Sequence, residues 1–361
     1  MEPKARVIAF YLPQYHPIPE NDEWWGKGFT EWTNVGKAKP LFKGHYQPRV
    51  PADLGYYDLR VPETRKAQAD MAREYGIEGF CYWHYWFGNG KRLIERPFNE
   101  VLESGEPDFP FCLAWANETW KGFNHGMTNR NILIEQLYLG VDDYTAHFYE
   151  ILSAFKDDRY ITVDGKPIFM IYKPLAFEDV GIFINLWQKL AKENGLKGIF
   201  FVGHSSFVSE IDCIKSKGLD AVCINRLFSF HTQNKTLIDK VFDKLKKEIF
   251  GMPYLFSYKK MTKYFSDKED FRSDVFPTVF PNWDHSPRSG KEGAVFHNSK
   301  PEFFEKHLRE VLDSVSAKKD KIVFLKSWNE WAEGNYMEPD LKWGKAYLEV
   351  LKSCLQVKIK M

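Results

Sequence analysis

The chain has 361 residues, and its 50 basic and 49 acidic side chains leave a net charge of +1. That balance supplies no cationic field of the kind that draws nucleic acid, so no nucleic-acid partner is expected. A hydrophobic fraction of 44 %, with 17 % aromatic residues, is ample for a large core, and no apolar stretch is long enough to span a bilayer.

The N-terminus, Met1-Glu2-Pro3-Lys4-Ala5-Arg6, carries no signal-peptide pattern and runs straight into the first apolar run, Arg6–Leu12. Seven more such runs follow: Gly79–Trp86, Phe111–Ala116, Pro167–Tyr172, Gly198–Gly203, Ala221–Asn225, Val275–Phe280 and Ile322–Lys326. They are short, rich in Val, Ile, Phe and Tyr, and lack strict alternation, as strands buried on both faces do. Between them the 3.6-residue period predicts helices over Glu63–Tyr75, Val141–Phe155, Ile182–Asn194, Leu237–Ile249, Pro301–Val315 and Trp343–Gln356. Gly76 and Gly195 stand just beyond two of them, as helix stops.

Eight strands joined mostly through helices imply parallel pairing by right-handed crossovers, and a (β/α)8 TIM barrel is the natural closure. A doubly wound open sheet is the alternative, but no glycine-rich dinucleotide loop supports it. The absence of repeats, linkers or low-complexity tracts makes residues 1–361 one catalytic domain. Long connections follow strands one, three and seven: Pro13 to Pro62, Asn117 to Gly140, and Pro281 to Ser299. In a barrel all three decorate the C-terminal face, where barrel active sites lie. Five cysteines lack metal-ligand spacing, and Cys81, Cys112 and Cys223 sit inside apolar runs. Reduced thiols acting as small hydrophobes, in a cytoplasmic protein, are expected.

The strand ends carry the chemistry. Trp328-Asn329-Glu330-Trp331-Ala332-Glu333-Gly334 leaves the eighth strand with two carboxylates three residues apart beside two tryptophans. Paired carboxylates beside aromatic rings suit glycoside chemistry, where one proton is given and another taken. The residues expected to converge with them are Tyr11, Gln14, Tyr15 and Trp32 from the first strand and its loop, and His84 and Trp86 from the second strand. Trp115, Asn117 and Glu118 follow the third, Trp283, Asp284 and Arg288 the seventh, and Trp328 and Asn329 the eighth. The aromatic members would stack on sugar rings and the polar ones would hold hydroxyls. Arg288 could offset the carboxylates or hold an acidic sugar. Glu118, after Asn117, competes for the acid/base role. The simpler reading is that many of these tryptophans only pack the scaffold. The histidines show neither His-x-x-x-His nor His-x-His spacing, so neither metal nor cofactor is expected.

Phe10-Tyr11-Leu12-Pro13-Gln14-Tyr15-His16-Pro17-Ile18-Pro19-Glu20-Asn21, Trp24 to Val35, the His84 and Asn117-Glu118 segments, and Trp328 to Gly334 resemble the WbsX-type family. Members of that family are commonly labelled glycosyltransferases of bacterial surface-polysaccharide clusters. The family in turn is similar to glycoside hydrolase family 99, the endo-α-mannosidases, which are (β/α)8 barrels. That second resemblance rests on the barrel and the Asn-Glu-Trp-x-Glu-Gly segment. It implies that Glu330 deprotonates a sugar 2-hydroxyl, which attacks C1 to give a 1,2-anhydro sugar, and that Glu333 serves as general acid and then base. Ala332 and Asn335 depart from the family 99 pattern. The expected activity is glycosidase or transglycosylase chemistry on a glycan or lipid-linked oligosaccharide. One alternative is a glycosyltransferase of O-antigen, lipopolysaccharide or capsule synthesis. The other is a non-catalytic glycan-binding barrel, for which an acid and a base would be unnecessary.

Overall fold

The computed structural model describes residues 3–122, 131–227, 248–249 and 251–356. Eight parallel strands form the barrel: β1 (Arg6–Tyr11), β2 (Ile77–His84), β3 (Phe111–Trp115), β4 (Lys166–Ile171), β5 (Phe200–Ser205), β6 (Ala221–Ile224), β7 (Val275–Val279) and β8 (Ile322–Leu325). Each pairs with its sequence neighbours, β1 pairs with β8, and β3 pairs with β4 to complete the ring. The expected (β/α)8 barrel is therefore the fold.

Helices α1 (Pro62–Glu74), α2 (Arg96–Ser104), α3 (Val141–Phe155), α4 (Val180–Glu193), α5 (Ile211–Ser216), α6 (Pro301–Val315) and α7 (Ala346–Leu355) lie between or after the strands. Periodicity missed α2 and α5, which are too short to display a full amphipathic stripe. The helix expected over Leu237–Ile249 lies almost wholly outside the described residues. The connection after β1 is also more ordered than its composition suggests. It holds two short helices, Pro19–Trp25 and Glu31–Lys37, and Thr30 caps the second by accepting from the Trp32 amide at 3.3 Å. The connection after β7 contains a strand, Ala294–His297, which pairs in parallel with Tyr254–Ser257.

The two faces of the strands do different things. Phe10, Phe324, Phe276 and Phe200 stack across the barrel interior, with ring centroids 5.3, 6.4 and 6.1 Å apart in turn. Trp83 closes this column over Phe10 at 4.8 Å. Their neighbours in sequence point outward to the helices: Tyr11 packs on Phe80 and Tyr82. This period-two parity decides which strand-end residues overlook the barrel axis. A smaller core, including Phe256, Phe265, Phe280, Trp283 and Phe296, lies under the segments flanking β7.

Candidate active site

Where the strands end, parity carries the interior faces of four strands into a cleft of about 540 Å³. Leu12 and Gln14 continue the inward face of β1, Ala116 and Glu118 that of β3, Tyr172 that of β4, and Lys326 that of β8. Trp83 is the floor, Tyr85 and Trp120 add aromatic walls, and Arg288, Glu330 and Glu333 complete the lining. Aromatic faces beside charged edges are what a sugar ring requires.

The charges form one chain. Glu330 accepts from Trp83 Nε1 at 2.8 Å and from Lys326 Nζ at 2.8 Å. Lys326 Nζ also lies 3.8 Å from Glu333 Oε2. The other oxygen of Glu333 pairs with Arg288, whose guanidinium reaches Glu31 at 3.1 Å. Two buried cations thus serve three carboxylates. Burial drives the Glu330 carboxyl above the ordinary carboxylate range, and the Glu333 charge adds to this, while Lys326 opposes it. Burial pulls Lys326 downward, but the two glutamates outweigh it and its pKa ends up raised. His285 Nε2 lies 4.0 Å from Glu333, and burial and Arg288 push this imidazole down to about 3, so it is neutral.

The backbone that presents this pair is tightly turned. Asn329-Glu330 hairpins onto Asn335-Tyr336, with Trp331–Glu333 in a single 3-10 turn between them. Gly334 closes the turn at φ +59, and a Cβ there would lie 2.6 Å from Asp284 Cβ. The Asp284 amide donates to the Glu333 carbonyl at 2.6 Å. Glycine is required both for the left-handed backbone and for this close approach.

Of the residues expected from sequence, Gln14, Glu118, Arg288, Glu330 and Glu333 line this cleft. Glu118 pairs with Lys173, and Asn117 lines an adjoining groove with Glu118, Lys173 and Tyr138. Asn117 itself holds the loop, accepting from the Lys173 amide at 2.7 Å and donating to its carbonyl at 3.1 Å. The others are placed differently. Tyr11 follows the inward Phe10 and so faces α1, donating to Gln68 at 2.7 Å. Trp115 and Trp86 face α3 and α4: Trp115 stacks on Phe183, and Trp86 donates to Asp143 at 3.1 Å. His84 follows the inward Trp83, and its Nε2 meets His147 Nε2 at 2.7 Å. Burial pushes both imidazoles well below their usual range, so this is a neutral donor–acceptor pair in the wall.

Several expected binding residues instead build the scaffold. Tyr15 donates to the Asn329 carbonyl, and the Trp331 amide donates to Tyr15 Oη at 3.1 Å. Asn329 clamps Leu12, accepting from its amide at 2.7 Å and donating to its carbonyl at 3.0 Å. Trp32 donates to the Tyr57 carbonyl at 2.7 Å, and Trp328 packs on Phe80. Trp283 belongs to the smaller core and stacks on His285. Asp284 is fully buried, bonded by His45 at 2.9 Å, Gln47 at 2.7 Å and Ser286 Oγ at 2.6 Å. Burial alone would raise its carboxyl, but the His45 bond and the Arg49 charge hold it down at about 2. It pins the loop after β7 to the loop after β1.

Sequence reasoning did not select Lys326, Trp83, Tyr85, Tyr172 or the Glu31 carboxylate. The signal for Lys326 was its position, two residues beyond Phe324 and hence on the same inward face. Among the described residues no group of His, Cys, Asp and Glu is arranged to hold a metal. No helix among them is long and apolar enough to cross a membrane.

Residues 7–351, nearly the whole chain, match the family described as Glycosyltransferase WbsX. The chain belongs to this family. WxcX from Xanthomonas campestris pv. campestris strain B100 is 33% identical over 356 residues, 97% of this chain and 50% of that protein. WxcX from strain ATCC 33913 is likewise 33% identical over the same share. The chain therefore spans about half the length of the curated relatives it matches. In fold, this WbsX barrel is similar to the family 99 endo-alpha-mannosidase from Bacteroides thetaiotaomicron, with a TM-score of 0.59 at 14% identity, covering 98% of this chain and 97% of that one. A glycoside hydrolase-like protein gives a TM-score of 0.59 at 15% identity, covering 99% and 95%.

Proposed function

We propose that this WbsX barrel is a carbohydrate-active enzyme that breaks glycosidic bonds in a bacterial polysaccharide or oligosaccharide, lipid-linked forms included. The observation that supports it most is the carboxylate pair, Glu330 and Glu333, joined through the buried Lys326 above an aromatic floor. The fold likeness to an endo-alpha-mannosidase supports the same reading.

In this reading Glu330 takes the proton of the sugar 2-hydroxyl as that oxygen attacks C1. Its raised pKa makes it a stronger base than a solvated carboxylate, and Lys326 and Trp83 fix where it points. Glu333 gives a proton to the departing oxygen. The 1,2-anhydro sugar then opens when Glu333 takes a proton from an incoming hydroxyl, and Glu330 returns its proton to O2. If the incoming group is water, the result is hydrolysis; if it is a sugar hydroxyl, it is transfer. The same residues serve both outcomes. The family's description favours transfer as a second reading, in its nucleotide-sugar-dependent form.

The test is turnover of a panel of glycosyl fluorides and oligosaccharides, followed by mass spectrometry with and without nucleotide sugars. Nucleotide-independent turnover that Glu330→Gln abolishes is the expected result. Turnover only with a nucleotide sugar, indifferent to Glu330→Gln, would overturn it in favour of the second reading. Glycan binding with no turnover of any kind would leave a binding barrel.

A further inference from the structure

A second cavity, of about 670 Å³, opens at the same end of the barrel as the cleft. It is bounded by the loops after β1, β7 and β8. The wall between the two spaces is the Asp284–Gly334 contact, where the Asp284 amide meets the Glu333 carbonyl. Nothing in the reaction proposed above uses it.

Its lining is built rather than incidental. Arg49 and Asn282 both line it, and each is only 7% exposed. Arg49 places Nη1 3.4 Å from the Gly334 carbonyl and Nη2 3.6 Å from Asp284, yet its Nε is buried with no partner among the described residues. Asn282 Oδ1 is likewise buried and unpartnered. A buried donor and a buried acceptor left unmatched cost stability unless something meets them. Tyr46, Trp343, Tyr347 and Phe296 supply ring surface around these two groups. Lys342 Nζ lies 4.5 Å from the Tyr46 centroid and 5.1 Å from that of Trp343, at the exposed rim. Aromatic faces with the Arg49 and Asn282 side chains in the wall and a cation at the rim suit a pyranose: the rings take its C–H face and the polar residues its hydroxyls.

We propose that this cavity is a second saccharide-binding site, holding one pyranose unit outside the bond-breaking cleft. The proposal rests on the glycan reading of the cleft, and its test separates the two. Saturation-transfer NMR and calorimetric titration of the full chain would use D-mannose, D-glucose, N-acetyl-D-glucosamine and D-glucuronate as probes. Binding of at least one probe is expected, weakened at least tenfold by Trp343→Ala and by Asn282→Ala, and unchanged by Gln14→Ala in the cleft. Turnover of a glycosyl fluoride should be unaffected by Trp343→Ala. Binding by none of the probes overturns the proposal, as does binding that Gln14→Ala removes, whether or not the cavity variants also lose it. Should Trp343→Ala fail to fold, Asn282→Ala decides alone, because it removes the unmatched acceptor without emptying an aromatic site. Cleft turnover without cavity binding defeats only this proposal; cavity binding without turnover defeats only the reaction.

Discussion

At the scale of single residues, the proposed reaction assigns its proton transfers to two glutamates whose surroundings differ. Glu333 lies at the solvent side of the cleft beside Arg288, whereas Glu330 lies deeper, between Trp83 and Lys326. Glu333→Gln should lower the rate on the order of 10²–10⁴-fold on natural glycosides, the usual worth of general acid catalysis. Good leaving groups need less protonation, so activated substrates should lose much less. Glu330→Gln should damage both substrate types alike; steady-state kinetics on a matched pair of substrates checks the contrast. Lys326→Met removes the charge that opposes the raised pKa of Glu330, so the acid limb of the rate profile should move to higher pH. It also leaves a buried carboxylate unpaired, with an expected loss of about 3–5 kcal/mol in urea unfolding. Lys326→Arg should largely restore the profile, and a wild-type pH profile in Lys326→Met would separate Lys326 from the chemistry.

At the scale of elements, the turn from Trp331 to Gly334 decides whether both carboxylates face the cleft. Gly334→Ala forces a left-handed backbone on alanine and drives a methyl against Asp284. The strain is of order 1–3 kcal/mol. Because Asp284 also holds Glu333 in place through the backbone, activity should fall more steeply than melting temperature does. Comparing the two losses tests this: equal small effects would mean that the turn is not what aims the pair. The strands show why the sequence alone chose too many cleft residues. Every position of β1 after Arg6 is buried, as are Gly79–His84 of β2 and all of β3, so the pattern carries no inside–outside alternation. His84 and Trp83 read alike in sequence, yet one meets a helix and the other the cleft.

At the scale of the whole molecule, β8's continuation is tied to α1 and the loop after β1 through Glu338. This carboxylate is 2% exposed and accepts from Trp331 Nε1 and Gln68 Nε2, each at 2.6 Å, and from Tyr57 Oη at 2.9 Å. Burial outweighs these bonds and raises its pKa to about 7 from the ordinary 4.5. The folded chain thus holds this proton where the unfolded chain releases it. The contribution to stability is fully present below about pH 4.5 and is lost as the pH rises toward 7. Glu338→Gln keeps the acceptor without the buried charge, so its melting temperature should fall less than that of wild type between pH 5 and 8 in a calorimetric scan. Parallel curves for the two proteins would show that Glu338 does not titrate in this window.

The sequence by itself determined the barrel, because eight doubly apolar runs spaced by helical segments close in few other ways. It also marked Glu330 and Glu333 as the candidate acid–base pair, with Arg288 either to offset their charge or to hold an acidic sugar, since paired carboxylates beside tryptophans at a strand end suit glycoside chemistry. Tertiary structure alone decided which other residues join them. Lys326 reaches both glutamates because β8 ends facing the axis, and Glu31 reaches Arg288 because a capped helix returns from the loop after β1. The Arg288–Glu31 contact joins positions 257 residues apart, and even the short-range reach of Lys326 to the two glutamates is set by strand parity and the turn after β8; neither is written in local periodicity.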